Sequence, residues 1–81
     1  MKLEYTKRFR KSFQSAPAHI QKAFSKQSRL LLEDLRHPSL RAKKYDEARD
    51  VWQARVTRGW RFYFTIANDT YWVIDINAHA K

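Results

Sequence analysis

The sequence contains no cysteine. That excludes disulfide cross-links, thiolate nucleophiles and cysteine metal sites, and it suits a reducing compartment. A single glycine and two prolines leave no glycine-rich loop to cradle the phosphates of a nucleotide. No apolar run approaches the roughly 18 residues that read as a membrane span. The opening stretch MKLEYTKRFRK is basic, with no apolar segment behind it, so it does not read as a secretory signal. A cytoplasmic protein with no membrane partner is the expectation. Acidic residues are also scarce: 8 Asp and Glu stand against 17 Lys and Arg, a formal net charge of +9. Such a surplus either keeps a short chain soluble or serves a polyanionic partner, nucleic acid or an acidic protein. The basic residues recur in every segment rather than in one tail, which favours the partner.

What is present reads as one domain, residues 1–81, with three Trp and five Phe to fill a small core. A chain of this size buries only about 60% of its unfolded surface. From Asp50 to Lys81, three runs of alternating apolar and polar residues are divided by Arg58-Gly59 and Asn68-Asp69. This predicts a three-stranded antiparallel meander. Alternation puts Trp52, Ala54, Val56, Trp60, Phe62, Phe64, Ile66, Trp72, Ile74 and Ile76 on a core face. The other face receives Gln53, Arg55, Thr57, Arg61, Tyr63, Thr65, Tyr71, Val73, Asp75, Asn77 and His79. Upstream, Lys2 to Tyr5 reads as a first strand lying beside the last. Thr6 reads as the N-cap of a short helix with Phe9 and Phe13 inside and Lys7, Arg8, Arg10 and Lys11 outside. After Ser15-Ala16-Pro17, the residues Ile20, Ala23, Phe24, Leu30, Leu31 and Leu35 form a helical stripe that His37-Pro38 stops. Pro38 to Arg49 lacks a period and reads as a basic loop carrying Arg41, Lys43, Lys44 and Arg49. The expected fold is α+β: a two-helix hairpin packed on a small antiparallel β-sheet.

The polar sheet face carries the candidate chemistry. Arg55 and Arg61 lie on adjacent strands on the same side. They either form surface salt bridges with Asp75 or Asp50, or hold an anion such as phosphate between two guanidinium forks. His79 ends the last strand and is of the residue type most often used as acid or base. Lys44 approaches from the loop. Arg41, Lys43, Gln53, Arg58 and Lys81 complete a phosphate-binding set, and Tyr63 and Tyr71 are auxiliary candidates. Such a set could cleave RNA: a base takes the 2′-hydroxyl proton, arginines stabilise the phosphorane, and an acid protonates the 5′-oxygen. No second histidine shares the face, so a lysine or a tyrosine has to fill the other proton-transfer role. His19 and His37 lack a third ligand, so neither a metal nor a small-molecule cofactor is expected.

The order strand, helical hairpin, KKYDEARDVW, VWQARVTRGWRFYFTI and DINAHAK resembles the RelE/ParE toxin superfamily across essentially the whole chain. Its most telling piece is W-x-x-R-V-x-x-x-x-R-F-x-F, from Trp52 to Phe64. The resemblance implies the toxin of a type II toxin–antitoxin system, a ribosome-dependent mRNA endoribonuclease that inhibits translation. Its partners would be the ribosome, mRNA and a cognate acidic antitoxin. By position, Arg61 matches the arginine that binds the scissile phosphate, Arg55 a phosphate-contacting residue on the preceding strand and Lys44 a basic loop position. His79 matches a histidine near the end of the YoeB and HigB types. Many nuclease members carry a tyrosine just after that region; here Tyr63 or Tyr71 would replace it. Two alternatives stay open: a ParE-like inhibitor of DNA gyrase, and a catalytically inactive basic domain that binds RNA or antitoxin.

Overall fold

The computed structural model describes residues 1–79. In it, segments from opposite ends of the chain lie side by side. Strand β1 (Lys2–Tyr5) pairs in parallel with β5 (Thr70–Ala78), Leu3 opposite Tyr71 and Tyr5 opposite Val73. β5 then pairs antiparallel with β4 (Trp60–Ala67), β4 with β3 (Val51–Thr57), and β3 with β2 (Lys43–Asp46). The order is β1-β5-β4-β3-β2. The first strand lies beside the last as expected, but its parallel pairing makes the sheet mixed rather than wholly antiparallel. The expected loop also contains a strand: β2 is a four-residue edge strand, KKYD. Edge strands are often this short and this charged, which hides their alternation.

Thr6 closes β1 and opens the first helix. Its backbone N–H donates to the Val73 carbonyl at 3.1 Å, and its hydroxyl donates to the Ile74 carbonyl at 3.2 Å. The same hydroxyl oxygen accepts from the Phe9 N–H at 3.1 Å, the N-cap bond the sequence predicts. Helix α1 (Lys7–Ser15) packs along β5, with Phe9 buried and Arg8 exposed. Helix α2 (Ala18–Glu33) begins after Pro17 and buries Ile20, Phe24, Gln27, Ser28 and Leu31. It ends before His37-Pro38, because Asp34 is already extended and its carboxylate accepts from the Arg36 N–H at 2.9 Å. No helix among the described residues is long and apolar enough to cross a membrane.

The helices cover one sheet face. Phe24 meets Phe62 edge-on with ring centroids 5.1 Å apart, and Phe62 meets Phe64 at 5.7 Å. Ala54, Val56, Phe62 and Phe64 are buried, with Trp52, Trp60 and Ile66 packed against them, so the alternation predicted for β3 and β4 holds. On β5 it breaks. Tyr63 pairs with Asp75 while Phe64 pairs with Val73, so Ile74 is an extra residue, a bulge. One inserted residue reverses the facing of everything before it. Tyr71 and Val73 therefore enter the core, and Trp72 stands 40% exposed on the outer side. Ile74 is only half-buried. The expectation that Trp72 and Ile74 are core residues and Tyr71 and Val73 surface residues is thus corrected; beyond the bulge, Ile76 is buried as predicted.

Candidate functional site

The sheet face away from the helices is open, and arginines converge at one end of it. Arg55 on β3 is the cross-strand partner of Arg61 on β4. Arg41 is brought in by its neighbours. The carbonyl of fully buried Leu40 accepts from the Arg55 N–H at 2.7 Å. The buried Gln27 of α2 donates from Nε2 to the carbonyls of Ser39 at 3.2 Å and Arg55 at 2.9 Å. The Ser39 hydroxyl donates back to Gln27 Oε1 at 3.3 Å. Arg41 itself has a left-handed backbone, φ 47°, a conformation that costs free energy for a non-glycine residue and persists only when its surroundings impose it. Arg58 joins from the β3–β4 turn.

This cluster has no counter-charge among the described residues. Among the described residues, none of Arg41, Arg55, Arg58 and Arg61 forms a salt bridge. The acids that could have neutralised it are engaged elsewhere. Asp75 accepts from Arg8 Nε at 3.1 Å, from the Ser12 hydroxyl at 2.8 Å and from the Ile76 N–H at 2.9 Å. Asp50 pairs with Lys44. The Arg55 Nε is buried without a hydrogen-bond partner. Loss of hydration, then the charges of Arg41, Arg61 and Arg58, push the Arg55 pKa below the ordinary arginine value. An unpaired, crowded set of guanidinium groups gains most from an anion with several oxygens.

Arg61 departs from the free fork the sequence suggests. Its Nη1 donates to the carbonyls of Thr57 at 2.9 Å, Trp60 at 3.0 Å and Arg58 at 3.1 Å, bracing the turn. Nε and Nη2 make no hydrogen bond among the described residues and stay available. His79 is exposed, and its backbone N–H donates to the Gly59 carbonyl at 2.7 Å. That bond fixes the end of β5 across from the turn that carries Arg58. Lys81 lies outside the described residues.

Two candidates fall on the wrong side of the sheet. Lys44 pairs with Trp52 and lies over its indole, 5.4 Å from the centroid, while ion-paired to Asp50 and Glu47. The hydrogen bond it donates to the Asp50 carboxylate is the main cause raising its pKa. Facing with Trp52 separates Lys44 from the arginines, so the site assigned to it is corrected. Its neighbour Lys43, opposite Gln53, takes the polar face and is exposed. Tyr71 is withdrawn as an auxiliary residue because the bulge turns it into the core at 5% exposure. Gln53 is on the polar face but is itself buried at 8%. Tyr63 does share the face. Its hydroxyl donates to Asn77 Oδ1 at 3.3 Å, and its ring meets Tyr45 edge-on at 5.0 Å. Burial, then Tyr45 and Asp75, raise its pKa against the lowering pull of Arg61, so the phenol keeps its proton at neutral pH and acts as a donor.

Gln27, Leu40 and Tyr45 were not singled out from sequence, and Arg8 only as one of the basic residues on the outer face of the first helix. Gln27 had a signal: it is a polar residue at a position of the stripe Ile20, Phe24, Leu31 that faces the core. No group of three or more His, Cys, Asp or Glu side chains placed to hold a metal ion occurs among the described residues.

No protein-family model matches the sequence, and no curated protein matches it. Solved structures match its shape. A YoeB/ParE toxin from Agrobacterium tumefaciens, 17% identical, superposes with a TM-score of 0.81 over 99% of this chain and 100% of its own. A chain of an archaeal RelE–RelB complex from Pyrococcus horikoshii OT3 is 14% identical, with a TM-score of 0.80 over 99% of this chain and 96% of its own. A chain of the RelB–RelE antitoxin–toxin complex from Methanococcus jannaschii is 18% identical, with a TM-score of 0.76 over 91% of this chain and 87% of its own. What is shared at such identities is the fold: two helices on a five-stranded sheet, as in the RelE/ParE-type toxins.

Proposed function

We propose that this chain is the toxin of a type II toxin–antitoxin pair and cleaves mRNA in the ribosome. The observation that carries the proposal is the group of arginines on the open sheet face, held in place by buried Gln27 and Leu40 and without an ion-paired carboxylate among the described residues. In this reading Arg55 and the free nitrogens of Arg61 grip the scissile phosphate. His79 takes the 2′-hydroxyl proton, the 2′-oxygen bonds to phosphorus, and the bond to the 5′-oxygen breaks. Tyr63, whose phenol holds its proton, supplies the proton to the departing 5′-oxygen. The products are a 2′,3′-cyclic phosphate and a 5′-hydroxyl end. Guanidinium groups gain most as charge builds on the phosphorane. The ribosome supplies orientation, which alone is worth several kcal/mol, and places the work in the cytoplasm. Peripheral residues such as Arg41, Lys43 and Arg58 add affinity for RNA phosphates without reading sequence. The partner that silences the toxin is an acidic antitoxin; the archaeal neighbours were solved as complexes with RelB.

A second reading, a gyrase-directed inhibitor, is favoured by one feature. Arg61 braces the β3–β4 turn, a role that needs no phosphate. Induced expression in a bacterial host separates the two. Growth arrest with mRNA cut inside translated regions is expected, as is cleavage by purified protein on programmed ribosomes with little on naked RNA. DNA damage with intact mRNA would move the assignment to gyrase.

A further inference from the structure

Beside the arginines, the same sheet face opens into a cleft of about 420 Å³. Its floor includes Tyr63, Ile74 and Asn77; Tyr45 from β2 and Arg8 from α1 line opposite sides. We infer that this cleft seats one nucleobase of the RNA strand whose phosphate the arginines hold, with Tyr45 as its stacking platform. The inference rests on the RNA reading above and adds to it a base subsite.

Three observations lead there. First, Tyr45 is 62% exposed, yet its ring is fixed edge-on against Tyr63 at 5.0 Å. An aromatic ring held upright on a polar face leaves a flat surface for stacking, which is how proteins bind single-stranded bases. Second, the charges lining the cleft are already matched. Arg8 pairs with Asp75 at 3.1 Å, and Arg49 with Asp46 at 3.2 Å. A phosphate gains little from paired charges, whereas an uncharged ring with polar edges fits a wall of paired groups and two tyrosines. Third, the spacing suits one nucleotide. Tyr63 follows Arg61 by two residues on the same side of β4, about 7 Å along the strand, and Asn77 is the cross-strand partner of Arg61. A phosphate on the arginines would bring its base onto the tyrosines, past Asn77. The Asn77 Oδ1 accepts from Tyr63, and its amide N–H groups have no partner among the described residues, so they are free to donate to a base edge.

The test is an NMR titration of the full chain with two probes: a mixed-sequence trinucleotide blocked at its 2′-oxygens by methyl groups, and inorganic tripolyphosphate. Both should shift signals around Arg55 and Arg58; only the trinucleotide should also shift Tyr45, Tyr63 and Asn77. Tyr45→Ala should weaken trinucleotide binding on the order of tenfold, as for loss of one stacked base, and leave tripolyphosphate unaffected. Tyr45→Phe should bind like wild type. Unchanged trinucleotide affinity in Tyr45→Ala, together with a loss in Arg55→Ala, overturns the base subsite while the RNA reading survives. Equal weakening of both probes by Tyr45→Ala makes Tyr45 a prop for the arginines and also overturns it. Should neither probe bind the wild-type chain, the subsite and the RNA reading fall together.

Discussion

Arginines stand at both ends of the open sheet face, in different company. At one end Arg8 reaches Asp75 and Arg49 reaches Asp46, both near 3 Å. At the other, Arg41, Arg55, Arg58 and Arg61 face one another, and none has an acid partner among the described residues. Residue type is therefore a poor guide to role on this surface; the presence of a carboxylate within reach decides it. Pairs of the first kind contribute about 0–1 kcal/mol each, and Arg8–Asp75 ties α1 to β5. In a cluster of the second kind the like charges oppose folding until an anion arrives, apart from the turn that Arg61 braces. The cost is carried by the scaffold, namely the buried Gln27, the fully buried Leu40 and the left-handed Arg41 backbone.

The largest expected effect breaks the unpaired end. In single-turnover cleavage on programmed ribosomes, Arg55→Ala should lose on the order of 10²–10³-fold, by analogy with removal of one oxyanion donor. Thermal stability should not fall, because one member of a like-charged group has gone. Arg55→Lys should recover only part of the rate, since an ammonium cannot grip two oxygens in the plane of a fork. A wild-type rate in Arg55→Ala would reduce the cluster to a general affinity patch. A smaller effect is expected from converting the paired end into an unpaired one. Asp75→Asn keeps the shape but frees Arg8, whose side chain is 81% exposed. It should lower stability by about 1 kcal/mol, raise RNA affinity slightly and steepen its salt dependence. Unchanged salt dependence would show that Arg8 lies off the RNA path. The smallest effect belongs to Gly59→Ala. This glycine is not at positive φ, and nothing lies within 4 Å of where a Cβ would stand. Denaturation should place the variant within about 0.5 kcal/mol of wild type, with cleavage intact. Lost cleavage at unchanged stability would instead reveal RNA running over the turn beside Arg58.

The β3–β4 hairpin was legible in sequence because its alternation is strict: Phe62 goes in, Tyr63 goes out, and Arg55 meets Arg61. Tyr71-Trp72-Val73-Ile74 was not. Four apolar residues in a row satisfy either facing, and neither glycine nor proline marks the bulge at Ile74, so the exchange of Tyr71 for Trp72 could be seen only from the pairing with β4. Lys44 and Lys43 posed the same problem on β2, where one residue of register decides between the indole of Trp52 and the polar face. The acids were harder still. Nothing local in sequence says that Asp75 will turn to Arg8 and Ser12 rather than to the adjacent strand, because α1 reaches Asp75 only after the chain has crossed the molecule.

The joining of β1 to β5 also has a consequence in time. Thr6 and Ile74, bonded through the Thr6 hydroxyl, are 68 residues apart in sequence, and a contact that distant closes late and slowly. Until the last strand arrives β1 has no strand to pair with, and α1 can rest only on α2, through Phe9 and Phe13 against Phe24. Only then do Arg8 and Asn77 come to share one cleft. A growing chain thus has no assembled cleft while its final strand is still inside the ribosome that makes it.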